Sequence, residues 1–147
     1  IGNFNESFDL QALAPFLKDG SQLTLIGDGP LRAQYEFIFG EAVFAGFADY
    51  YEVPKLLSKY EIGVLPITGN ATLPNKLYDY YASGLNVVTN CQSAASFWSL
   101  GRFQEMDCGA YFVKHEDLDR SLFTTYGQMG KTMLNIIESK ISGARQR

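Results

Sequence analysis

The chain has 147 residues, 46% of them hydrophobic, with 16 acidic against 12 basic side chains and a formal net charge of −4. This length suits one domain with its own core, and we read 1–147 as a single domain. The acidic balance, with no basic footprint, excludes the usual nucleic-acid binder, and no apolar run approaches the ~18 residues of a membrane span.

The sequence opens on Ile1 rather than methionine, and "IGNF" reads as a strand ending in a turn, so a preceding segment is expected. No secretory leader is visible. "QLTLIGDG" (22–29) is a strand entering a glycine turn. "PLRAQYEFIFG" (30–40) places Leu31, Tyr35 and Ile38 at helical spacing, with Pro30 suited to the first turn. "AVFAGF" (42–47) is the next strand, and "YEVPKLLSKY" (51–60) is a short helix with Pro54 in its first turn. "EIGVLPIT" (61–68) is a strand that stops at Pro66. "LPNKLYDYYASGLNVVTN" (73–90) supplies a helix and then a strand, with Gly84 as a left-handed cap. Segment 91–108 reads as a loop with one helix around Ser96 to Phe103, "GAYFV" (109–113) as a sixth strand, and 117–141 as one long helix or two broken near Gly127.

Strands alternating with helices across short loops predict an α/β fold, a doubly wound parallel sheet of about six strands. Continuous apolar runs such as "LTLI" and "NVV" fit strands covered on both faces. Ligands of such sheets lie beyond the carboxyl ends of the strands. That directs attention to Gly2 to Glu6, Gly27 to Pro30, Phe47 to Tyr50, and Pro66 to Lys76.

Within the helix after Pro74, Leu73, Leu77 and Tyr81 recur at i, i+4 and i+8, beside Tyr80, and form an apolar face. Asn75, Lys76 and Asp79 share the opposite side. A lysine at a helix amino terminus suits a diphosphate, and a carboxylate one turn later can accept bonds from vicinal ribose hydroxyls. An exposed Lys76–Asp79 ion pair fits the same spacing. The "GDGP" turn fits either a tight turn or close approach to a ligand, and Asp28 opposes direct phosphate binding there. His115 is the only histidine, and no GxSxG, GxGxxG or GxxxxGK[ST] motif occurs. Cys91 and Cys108 are isolated, so no metal site is expected and reduced thiols of a cytoplasmic protein are.

In order, "LTLIGDGPLR", "VFAGFADYYEVPKLLSKYEIGVLPIT" and "PNKLYDYYASGLNVVTN" resemble the C-terminal half of GT-B glycosyltransferases, nearest the bacterial family 4 (group 1) enzymes of cell-surface polysaccharide synthesis. The likeness runs from about residue 1 to 113. It implies a Rossmann-like donor domain holding a nucleotide-sugar as substrate, with no cofactor. Asp79 takes the place of the family's ribose-binding glutamate, and Lys76, with Pro74, Asn75 and Leu77 around it, faces the diphosphate. Phe47 and the residues after it contact the base, Thr68 lines the cleft, and Gly2, Asn3 and Gly27 supply the glycine turns.

The implied partners are a missing N-terminal acceptor domain and a glycan or lipid-linked acceptor. The implied location is cytoplasmic, at the inner face of the membrane for the full enzyme. Two features depart from the family pattern. Ala71 stands where many relatives carry the first of two glutamates, and "GNFNESFD" (2–9) lacks the basic residues that clamp phosphates. Either Lys76 and helix termini take over that clamp, or the donor binds differently. Three alternatives stay open: a GT-B epimerase or phosphorylase fragment, a flavodoxin-like or receiver-like module, and a non-catalytic homologue acting as a partner protein.

Overall fold

The structure, a computed structural model, describes residues 1–18, 20–69 and 73–123. Helices and strands alternate as the apolar runs require: β1 (Gly2–Asn3), α1 (Ala14–Leu17), β2 (Thr24–Asp28), α2 (Arg32–Ile38), β3 (Val43–Gly46) and α3 (Val53–Leu57). They continue with β4 (Ile62–Val64), α4 (Asn75–Ala82), β5 (Asn86–Thr89), α5 (Gln92–Ser99), β6 (Gln104–Glu105) and β7 (Tyr111–Val113).

The strands do not form the single parallel sheet of about six strands that the sequence predicts. They form a parallel sheet of order β1-β2-β3 and a mixed sheet of order β4-β5-β7-β6. The fold remains α/β, and its parallel pairs are consistent with a Rossmann-like layout. The largest departure is β7, which pairs antiparallel with both β5 and β6. Its cause is local. Only a tight turn closed by Met106 N–H to the Ala110 carbonyl joins β6 to β7. A link that short cannot make a parallel crossover. The expected strand-helix-strand alternation ends on β6 instead, which runs with β5 while β7 is inserted between them. The helix expected around Ser96 to Phe103 begins earlier, at Gln92. Most of the helix expected over 117–141 lies outside the described residues, as does Ala71; residues 115–117 form a 3-10 turn.

β5 is the most deeply buried strand, with Val87, Val88 and Thr89 all inaccessible. Its neighbourhood holds the largest apolar group, in which Trp98, Leu65, Leu77, Leu85 and Val113 pack together. A second group joins Phe4, Leu10, Leu25, Tyr35 and Phe39 beneath the first sheet. The helix α4 lays Leu77 and Tyr80 into the core, with Leu73 and Tyr81 half-buried beside them. Gly84, at φ +77, closes α4 with paired bonds from Gly84 N–H to Tyr81 and from Leu85 N–H to Tyr80.

Tyr80 also bridges the two sheets. Its hydroxyl donates to the Val64 carbonyl at 3.1 Å and accepts from the Ile1 amine at 3.3 Å. Burial pushes this phenol well above its ordinary pKa, so it stays protonated as a donor. Tyr80→Phe is expected to reduce unfolding free energy by about 1–2 kcal/mol, read by urea denaturation with an unchanged slope. A loss of zero would show that the bridge is dispensable.

Candidate functional site

The carboxyl end of β1 is built by close backbone contact. Gly2 pairs with Gly27 and Asn3 with Asp28. Phe4 N–H donates to the Asp28 carbonyl, and Leu31 N–H donates back to the Phe4 carbonyl, both at 2.9 Å. A side chain on Gly27 would collide with the Gly2 carbonyl, and one on Gly2 would collide with Cε of Lys76. The three predicted residues Gly2, Asn3 and Gly27 therefore do come together, and Gly2 lies directly under Lys76. Asp28 is occupied in its own turn, accepting from Gly29 N–H at 2.8 Å and lying 3.7 Å from Arg32.

The loop after β1 is pinned from two sides. The Tyr35 hydroxyl donates to the Phe8 carbonyl at 2.9 Å and accepts from Leu10 N–H at 3.1 Å. Thr68, in the loop after β4, donates its hydroxyl to the Glu6 carbonyl at 2.9 Å. Thr68 thus joins the two loops, its hydroxyl proton already engaged. Held this way, the Phe8 ring receives the Lys76 ammonium at 3.5 Å from its centroid, a cation–π contact. Phe8 is the site residue that sequence reading missed.

The helix α4 supplies the charged groups. Pro74 is its N-cap, in extended conformation, and no side chain caps that end. Asn75 is exposed at the first turn, while Lys76 and Asp79 are each half-buried on one side of the helix. Leu77 contributes packing rather than a ligand contact: its side chain is fully buried and its N–H donates to the Pro74 carbonyl at 3.0 Å. Among the described residues Lys76 and Asp79 do not close into an ion pair; the pairs formed are Arg32 with Asp28 and Glu36, Arg102 with Asp117, and Lys114 with Glu116. Burial pushes the Asp79 carboxyl above its ordinary pKa, partly offset by Lys76 and the Ile1 amine. Burial likewise pulls the Lys76 ammonium down, partly offset by Asp79. Each ion is left partly desolvated and incompletely compensated.

Phe47 stands apart at the end of β3, 89% exposed and packed against none of these groups. A cavity of about 540 Å³ reaches the site, where Asn3, Phe8, Pro66 and Lys76 line it, while Asn75, Asp79 and Thr68 do not. Its bulk runs away from the strand ends, between the two sheets. His115 is engaged elsewhere, with Nε2 2.9 Å from the Tyr81 carbonyl and its ring stacked on Tyr81. Among the described residues no group of three or more His, Cys, Asp or Glu side chains could hold a metal ion. No helix among them is long and apolar enough to cross a membrane.

At a strand-end edge, then, one ammonium lies on an aromatic ring at the start of a helix, with one carboxylate a turn further along. Such a site can bind an anion and a hydroxyl-bearing group side by side. No curated protein and no solved structure matches the sequence. The family model for glycosyl transferases, group 1, matches it over residues 5–118, which take in Phe8, Gly27, Lys76 and Asp79. Because that match covers most of the molecule, the chain belongs to the group 1 glycosyltransferases.

Proposed function

We propose that this domain is the nucleotide-sugar-binding half of a glycosyltransferase of GT-B architecture. The whole enzyme moves a sugar from a nucleoside-diphosphate donor to a glycan or lipid-linked acceptor in polysaccharide synthesis, and an N-terminal domain holds the acceptor. The observation that carries this reading is the Lys76–Asp79 arrangement: two half-buried opposite charges on one face of α4 that offset each other only in part and close no ion pair. A diphosphate at Lys76 and ribose hydroxyls at Asp79 would compensate both. Lys76 would also stabilise the charge that develops on the leaving diphosphate. Gly2 keeps the floor of the site open for the lysine stem, and Phe8 holds the ammonium in place.

The isolated domain is expected to bind a nucleotide weakly and to transfer no sugar. Titration with UDP, GDP and ADP by calorimetry checks this. Asp79→Ala is expected to weaken the preferred nucleotide about 10- to 100-fold, the loss of bonds to a charged acceptor. No saturable binding by a folded sample would overturn the reading, and undiminished affinity in the variant would remove Asp79 from the site.

A further inference from the structure

Strands β4 and β5 diverge just short of the site. Their ladder sets Ile62, Gly63 and Val64 against Asn86, Val87 and Val88, and it continues with Leu65 N–H to the Val88 carbonyl at 2.8 Å. The next residue is Pro66, which has no N–H to offer. Beyond it a side chain replaces the ladder. The Asn90 Oδ1 accepts from Ile67 N–H at 2.7 Å, and Asn90 Nδ2 donates to the Ile67 carbonyl at 3.1 Å. Ile67 is buried, so both of its backbone groups need partners. A carboxamide offers a donor and an acceptor side by side, and this double pairing fixes which way the Asn90 amide points.

After Ile67 comes Thr68, whose hydroxyl reaches across to the Glu6 carbonyl in the loop after β1. Glu6 opens a 3-10 turn, Glu6–Phe8, which the Asn5 side chain caps by accepting from Ser7 N–H at 3.0 Å. This turn is tethered at two points, at Glu6 by Thr68 and at Phe8 by Tyr35. Two tethers fix its orientation, whereas one would let it pivot. Its far end carries the Phe8 ring on which the Lys76 ammonium rests. We propose that Asn90 is a positioning residue for the nucleotide site. By holding Ile67 it places Thr68, and through Thr68 and the 6–8 turn it sets the Phe8 ring against Lys76. The consequence for ligand affinity rests on the diphosphate reading of Lys76; the link from Asn90 to Lys76 is a property of the empty domain.

The test follows Lys76 in the unliganded domain by NMR. Its ε-methylene protons lie beside the Phe8 ring and are expected upfield of those of the other lysines. Asn90→Asp keeps the size of the side chain but sets a carboxylate oxygen against the Ile67 carbonyl. Thr68→Val removes the hydroxyl without touching the buried amide pair. Each is expected to move the Lys76 signal toward that of a free lysine. Each should also weaken whichever of UDP, GDP and ADP binds by about 3- to 30-fold. Because both act along one path, the double variant should match Asn90→Asp alone to within about twofold. A residue that only stabilises the fold would lower Tm, leave the Lys76 signal in place and add its effect to that of Thr68→Val. An unmoved Lys76 signal in either variant, or additive losses, would therefore overturn the proposal whatever the change in Tm. If none of the three nucleotides binds, the diphosphate reading falls and the Lys76 signal still decides the role of Asn90.

Discussion

Replacing Gly27 with alanine is expected to lower unfolding free energy by about 3 kcal/mol or more, with a fall in Tm of roughly 10 °C. Two causes add. At φ +135 a side chain strains the backbone, and the new Cβ meets the Gly2 carbonyl. The colliding atom is backbone, so no rotamer change relieves it. The strand β1 must separate from β2, and it has only two residues of ladder with which to resist. Gly46→Ala is the matched control. Its φ is +72 and its Cβ would meet nothing within 4 Å, so only strain remains, about 1 kcal/mol. The same displacement reaches the site, because Gly2 lies between Gly27 and Lys76. Nucleotide affinity, corrected for the folded fraction, should fall as well. Equal losses in the two variants would show that contact between β1 and β2 does not set the position of Gly2.

The strands that sequence reading located are those that carry apolar runs. "LTLI" and "NVV" announce β2 and β5 because both their faces are covered. β6 carries no such signal. It is Gln104–Glu105, both exposed, and a two-residue polar strand has no period to detect. Missing it made β7 look like the next parallel strand, although a tight turn dictates a hairpin there. The break between β1 and β4 was equally hidden. It depends on how few residues of β1 pair with β2, and periodicity does not report pairing.

The site divides in the same way. Helical spacing alone placed Lys76 and Asp79 on one side of α4, and the structure agrees. Spacing left two readings open, an exposed ion pair or a ligand site; in the structure the ammonium rests on Phe8 and both side chains are half-buried. Phe8 was illegible because its contact is long-range and its neighbours "ESFD" carry no pattern. Its position depends on Tyr35 and Thr68, whose hydroxyls bond backbone carbonyls of the same loop. Leu77 sat in the right helix but faces the core, as its own i, i+4 apolar pattern requires.

Nucleoside-diphosphate affinity is expected to trace a bell against pH, with limbs set by Asp79 and Lys76. The carboxylate must be ionised to accept ribose hydroxyls, so affinity falls on the acid side, beginning above the ordinary aspartate range because burial raises this pKa. The ammonium must be protonated to hold the diphosphate, so affinity falls on the alkaline side below the ordinary lysine range, because burial lowers this pKa. Stability of the unliganded domain moves oppositely. A raised carboxyl pKa means that the folded state binds the proton more tightly, so the Asp79 contribution declines as pH rises through the two values. A lowered lysine pKa means that the unfolded state binds the proton more tightly, so the Lys76 contribution grows as pH climbs through its two values. Between the two titrations both groups are charged, which is the least favourable condition for the empty site and the most favourable for the occupied one. The nucleotide-induced rise in Tm at fixed concentration should therefore peak there. Asp79→Asn should remove the acid limb except for the titration of the terminal phosphate itself, near pH ~6. Lys76→Gln should weaken binding at neutral pH about 10- to 100-fold and flatten the alkaline limb. Calorimetric titrations from pH ~5 to ~10 on the three proteins measure both limbs, and an unchanged profile in the two variants would place the nucleotide away from α4.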